Sequence, residues 1–150
     1  MHLLTGDTGM RQETLTAYGA TVLRLSLGTM YLSHSVVLKL LTYGLGGTAG
    51  YFVSIGLPAW LAYVTFAAEA VGGALLVLGI HTRIVALSLT PALVGAIIWA
   101  HGGNGWVFTA PGGGWEYPLF LVAASIAQAL LGDGAFALRP SRAPAAVHAQ

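Results

Sequence analysis

The sequence predicts an all-α fold: a four-helix transmembrane bundle with a short interfacial helix between spans 1 and 2. Three observations carry that expectation. The 150-residue chain is 56% apolar and only 7% charged. A soluble domain carries about a quarter charged residues, so in water this chain would expose large apolar patches. Its apolar residues gather into four long runs, and its cations and tryptophans fall at opposite ends of those runs.

The runs justify the elements in order. The first, Ala17–Leu41, and the second, Pro58–Ile80, are long enough to cross a bilayer, which takes roughly 17–25 residues. The third, Ile84–Ala100, sits at the lower limit. The fourth, Pro118–Leu131, reaches span length as 116–132, with Trp115–Tyr117 and Ala135–Leu138 in the interfaces. Residues 1–16 read as an N-terminal tail, 17–139 as the membrane domain and 140–150 as a disordered C-terminal tail. Between the first two spans, Thr48–Ile55 reads as an interfacial helix, with Thr48 as its cap, Gly56 at its end and Pro58 opening the next span. His101–Tyr117 holds six glycines and reads as a connector across the headgroups, the alternative being a lid over the bundle. Three small-residue pairs, Ala68/Gly72, Ala92/Ala96 and Ala123/Ala127, are candidate helix contacts. Pro91 should kink or loosen the third span.

Orientation follows from the loops. Arg11, Arg83, Arg139 and Arg142 share one end, with Lys39 alone leaning to the other. The positive-inside rule therefore expects both termini in the cytoplasm. Trp60, Trp99, Trp106 and Trp115, with Tyr43, Tyr51 and Tyr117, mark the outer interface as an aromatic belt.

Composition also narrows the chemistry. Net charge is +1, without a basic cluster, so nucleic acid is not an expected partner. There is no cysteine, which removes disulfides, thiolate metal sites and iron–sulfur clusters. The first apolar run is too long for a signal-peptide core and its leader is not basic, so no cleaved signal is expected. Gly44, Gly46 and Ala49 imitate a dinucleotide fingerprint, but no βαβ unit surrounds them.

Ionisable groups inside an apolar span are costly and therefore informative. By helical rise, Arg24 lies about 10 Å and Glu69 about 16 Å from the cytoplasmic end. The expectation is an intramembrane ion pair between them that sets helix register, the alternative being a proton-handling Glu69. A second group gathers towards the outer face: Tyr31, His34, Lys39, His101 and Glu116. It would line a polar pocket at the mouth of the bundle. Such a pocket suits a quinone headgroup, with Glu116 exchanging the proton. Two imidazoles on different helices also make His34 and His101 weak candidates for a haem b or another metal.

Motif order and spacing point further. Arg24–Leu25–Ser26–Leu27–Gly28, His34 with Lys39, Gly47–Thr48–Ala49 and Gly56–Leu57–Pro58 come first. Then follow Glu69 before Gly72–Gly73, Gly79–Ile80–His81–Thr82–Arg83, His101 with Gly105, Trp115–Glu116–Tyr117–Pro118 and Leu131–Gly132–Asp133–Gly134. Together, over about Leu23 to Arg139, these resemble the DoxX family of bacterial four-span membrane proteins. The resemblance implies a place in the bacterial inner membrane and an association with quinone-linked redox complexes. It marks Arg24, His34, Lys39, Glu69, Arg83, His101 and Glu116 as pattern residues. A neighbouring branch relies on cysteines, which this chain lacks.

Two functions from different classes follow as expectations. One is an integral membrane subunit of a redox complex that interacts with quinone or quinol. The other is a structural or assembly subunit beside a larger respiratory or photosynthetic complex, docked through its tryptophan-rich outer loop. Both expect the lipid bilayer and other membrane subunits as partners. The absence of an inverted repeat argues against a small transporter.

Overall fold

Apolar runs without a β-type alternation form helices, because a helix satisfies its own backbone where water is absent. The computed structural model describes residues 5–141. Helix α1 covers Thr5–Leu32 and continues through a π-helical stretch, Ser33–Thr42. Helix α2 is Gly44–Ser54, α3 is Ala59–Leu78 and α4 is Thr82–Gly95. A second π-helical stretch, Ala96–His101, and a 3₁₀ turn, Gly102–Asn104, prolong α4; helix α5 is Glu116–Leu131. The chain is an all-helical membrane protein. Two helices are long and apolar enough to cross a bilayer, Ala59–Leu78 and Thr82–Asn104. Gly9–Thr42 with Gly44–Ser54, bent by 102°, makes a third if the pair counts as one span. Helix α5 has 16 residues and falls short of that length.

Several boundaries differ from expectation. The segment read as an N-terminal tail is helical from Thr5, so α1 enters the bundle already formed. The interfacial helix starts four residues early, at Gly44. Thr48 is therefore not its cap: its hydroxyl donates to the carbonyls of Lys39 and Gly44, both at 3.0 Å, and so ties α2 to the end of the first helix. Gly56, at φ +84°, ends α2, and Pro58 precedes the first residue of α3. Pro91 lies inside α4 and the helix runs on past it, widening only from Ala96. Of the tail expected over 140–150, all but Pro140 and Ser141 lies outside the described residues.

Helices α1 and α3 meet backbone to backbone at Gly28 and Gly73. A Cβ on Gly28 would sit 2.9 Å from the Gly73 carbonyl oxygen, and one on Gly73 3.0 Å from that of Gly28. Only glycine permits this crossing. Gly72 is covered by Leu89 of α4. Of the expected small-residue pairs, Gly72 makes a helix contact, whereas Ala68 and Ala123 are exposed and Ala92 and Ala96 half-buried. The buried core is Leu27, Tyr31, Leu76, Val85, Ala86, Leu89, Leu121, Ala124 and Ala129.

One end of the bundle is clamped by the chain after α5. Gly79 takes a left-handed conformation (φ +68°), and the Ile80 N–H returns to the Leu75 carbonyl, which is how a glycine closes a helix. Residues 138–139 then lie along this turn: Leu138 N–H donates to Leu78, Arg139 N–H to Gly79, and His81 N–H to the Arg139 carbonyl. The link is a single β-bridge between Ile80 and Arg139.

Candidate functional site

At the clamped end, charges sit where helix dipoles want them. Arg83 Nη1 donates to the last carbonyls of α5, Ala129 at 2.6 Å and Leu130 at 3.0 Å. The Asp133 carboxylate receives the Thr82 N–H at the start of α4 (3.1 Å), the Ser141 N–H (2.8 Å) and the Ser141 hydroxyl (3.0 Å). Burial by itself would push the Asp133 carboxyl up. The hydrogen bonds from Ser141 and Thr82 outweigh it and hold the group below the ordinary carboxylate value. Arg24, 2% exposed, packs its guanidinium against Gly79 and donates to the Ala135 carbonyl at 3.3 Å.

Arg24 is therefore not the partner of Glu69. Glu69, 7% exposed in the middle of α3, takes Lys39 instead, with Nζ 2.6 Å from Oε2. The physical reason lies in the helix between them. From Ser33 to Thr42 the backbone winds in wider turns, ending with the Tyr43 N–H on the Leu38 carbonyl five residues back. The wider turns shift Lys39 off the 3.6-residue stripe expected of it and towards α3. Its long stem does the rest. At the same time Arg24 turns the other way, towards the Ala135 carbonyl at the clamped end.

Beside this pair lies a polar contact between α1 and α5. The Tyr31 hydroxyl, in a 3%-exposed residue, meets Ser125 Oγ at 3.2 Å. One residue earlier, Met30 Sδ accepts the Tyr117 hydroxyl at 2.6 Å, and its carbonyl holds His34 Nδ1 at 3.0 Å. A carbonyl only accepts, so Nδ1 carries the proton and Nε2 is the free nitrogen. The His34 ring lies nearly parallel to that of Tyr117, centroids 6.3 Å apart.

The glycine-rich connector is folded. Its turns close through Ala110 and Gly114 N–H on the Val107 carbonyl, and it is sewn to α5 by Trp115 N–H on Gly105 and Glu116 N–H on Trp106. His101 Nδ1 and Asn104 Nδ2 both hold the carbonyls of Gly112 and Gly113. Glu116 Oε1 accepts the Phe108 N–H at 2.7 Å, and Trp106 packs edge-on against Trp115 at 4.5 Å. These contacts leave a groove of about 490 Å³ lined by Trp106, Phe108, Glu116, Tyr117, Leu119, Phe120 and Ala123.

The outer candidates are thus divided. Glu116 lines the groove, and His34 reaches it through Tyr117. Lys39 is committed to Glu69, and His101 holds the connector closed. Among the described residues no ring contact or hydrogen bond joins His34 to His101, and no group of three or more His, Cys, Asp or Glu is gathered as for a metal.

The family model for DoxX matches residues 19–102, over half of the chain. The chain belongs to the DoxX family. A Bacillus subtilis (strain 168) protein named "Putative oxidoreductase CatD" is 37% identical over 123 residues, which is 81% of this chain and 85% of that protein. No solved structure matches the chain.

The DoxX match takes in Arg24, Tyr31, His34, Lys39, Glu69, Arg83 and His101, and stops before Glu116 and the groove. Phe108 and Phe120 were not among the candidates read from the sequence, and Trp106 was read only as part of the outer belt and the docking loop. Phe108 and Phe120 look like ordinary lipid-facing residues along the chain, and Trp106 like one more member of the belt. Only the folded connector sets all three beside Glu116.

Proposed function

We propose that this DoxX protein is a quinone- or quinol-interacting subunit of a redox complex. In this reading it crosses the bacterial inner membrane four times, with both termini in the cytoplasm. The aromatic groove carries the proposal. It is an open surface groove of about 490 Å³ rather than an enclosed cavity, with room for one face of a small ring. Four aromatic side chains and one carboxylate suit a planar ring with oxygen substituents. In the proposed topology such a ligand would arrive from the bilayer. The name of the Bacillus relative supports the redox side of the proposal. Without cysteine, the chain has no thiol couple of its own, so electrons would pass through a bound ring or a partner subunit.

Binding of a short-chain benzoquinone to the purified full chain, followed by tryptophan quenching, tests this. Phe120→Ala and Phe108→Ala should each weaken binding about tenfold, the loss of one well-packed aromatic contact. Trp106→Phe should remove most of the quenching. Unchanged affinity in both alanine variants, or no binding to the native protein, would overturn the proposal. A quinone-free protein that leaves a larger assembly when Trp106 is replaced by alanine would be the docking subunit instead.

A further inference from the structure

We infer that the seam between α1, α4 and α5 takes up internal water from the clamped end as far as the Tyr31–Ser125 contact, and so carries protons into the middle of the bundle. Three buried residues are pinned there to one short stretch of chain, Gly132–Ala135. Arg24 donates to the Ala135 carbonyl, the Gln128 amide nitrogen to the Gly132 carbonyl at 2.7 Å, and the Thr82 N–H to Asp133. Each has polar atoms left over. Among the described residues, Arg24 Nε and Nη1, Thr82 Oγ1 and Gln128 Oε1 are buried without a hydrogen-bond partner. Thr82 and Gln128 are fully buried and Arg24 nearly so, and a buried polar atom without a partner is costly. The set mixes donors with an acceptor. An anion would satisfy the guanidinium but repel Gln128 Oε1 and the nearby Asp133 carboxylate. Water both donates and accepts, and it fits the whole set.

The same polar faces lead on into the bundle. The Thr21 hydroxyl donates to the Ala135 carbonyl at 2.8 Å and the Tyr31 hydroxyl meets Ser125 Oγ at 3.2 Å, so α1 and α5 run antiparallel along the seam. Thr21, Arg24, Gly28 and Tyr31 share one face of α1. Ser125 and Gln128, both fully buried, lie one turn apart on α5, about 4.5 Å along the axis. One bridging water spans that distance. At the surface, an open groove of about 360 Å³ touching Gln12, Thr16, Ala20 and Gly134 gives bulk water its approach. At the inner limit, Gly73 packs on Gly28 and Leu32, and Glu69 lies one turn further along α3. The path therefore ends near the level of the Lys39–Glu69 pair. Protons pass from water to water and through the Ser125 and Tyr31 hydroxyls, each oxygen taking one proton and giving up another. Arg24, Thr82 and Gln128 hold the water in place.

The test is exchange of the Tyr31 hydroxyl proton for deuterium in the full chain in mild detergent, read by NMR from the isotope shift at Cζ of labelled tyrosine. Tyr31→Phe identifies its signal among the six tyrosines. Backbone amides of Leu27–Leu32, followed in parallel, report opening of the helix. In the native chain the hydroxyl, relative to free tyrosine, should be at least about tenfold less protected than those amides are relative to unstructured peptide. Gln128→Leu, which keeps the bulk and removes the acceptor, should slow hydroxyl exchange by about tenfold, the scale of one lost hydrogen bond, with the amides unchanged. Thr82→Val leaves the backbone N–H on Asp133 and should slow it in the same sense. A hydroxyl as protected as its own backbone would overturn the inference, because it would then exchange only when the helix opens. So would exchange unmoved by both variants, because water would then reach Tyr31 by another way. Where a variant loosens the amides as well, the native comparison and the other variant decide.

Discussion

A carboxylate in the middle of an apolar helix needs a cation, and helical rise put Arg24 within reach of Glu69. Depth along the helices favoured Arg24; the structure gives the place to Lys39 at 2.6 Å. Arg24 finds its partners at the clamped end, against Gly79 and the Ala135 carbonyl. Arg24 was legible as an intramembrane charge and Lys39 as a member of the outer polar group. Their pairing was not, because it turns on a few residues of irregular helix. Removing one member of the Lys39–Glu69 pair leaves the other charge buried without compensation. Glu69→Ala should therefore cost about 3 kcal/mol, while Lys39→Met with Glu69→Leu should recover most of that loss. Unfolding of the single and double variants in detergent measures it. A double variant as unstable as the single one would mean that the pair is not the source of the loss.

At the scale of elements, the helices could be read from hydropathy, but their irregular turns could not. Both π-helical stretches carry residues singled out from the sequence, His34 and Lys39 in the first and His101 at the end of the second. Such wide turns often mark functional sites. Nothing in a run such as Ser33–Thr42 announces one, because the same residues are compatible with an α-helix. Glycines were better signals. Gly79 carries a positive φ, and a Cβ there would collide with the Arg24 guanidinium. Gly79→Ala should destabilise by about 1–2 kcal/mol from the backbone alone, with more from displacing Arg24. Gly46→Ala, in α2 with open space around its Cα, should be neutral or slightly stabilising. Equal effects of the two on thermal unfolding would contradict the role assigned to Gly79.

For the whole molecule, the clamp makes stability depend on pH through Asp133. Its carboxyl lies below the ordinary value in the folded protein, so the unfolded chain binds the proton more readily. The stabilisation is fully present above the ordinary carboxylate range, about pH 4. It is lost as pH falls through the depressed folded value. The unfolding midpoint of the native chain should be flat above about pH 5 and fall below about pH 4. Asp133→Asn should be less stable at neutral pH and should lack that part of the acid decline. An identical acid profile in the variant would remove Asp133 from the account. Orientation is accessible through the absence of cysteine: single cysteines at Gln12 and Gly103 should label from opposite sides of intact cells, Gly103 from outside. Labelling of both from one side would contradict the proposed topology.

By itself the sequence determined that this is a helical membrane protein of the DoxX family, because hydropathy and motif order are properties of the chain. It also marked the ionisable residues that matter, since a charge among apolar residues stands out wherever the helix goes. The tertiary structure decided which of them meet. Lys39 rather than Arg24 faces Glu69, His101 is spent on closing the connector, and Glu116 joins four aromatic residues in a groove. Those choices depend on helix rotation, on where carbonyls are left without partners, and on how a glycine-rich loop folds back. Each is settled by contacts between residues far apart in the chain, which no local pattern encodes.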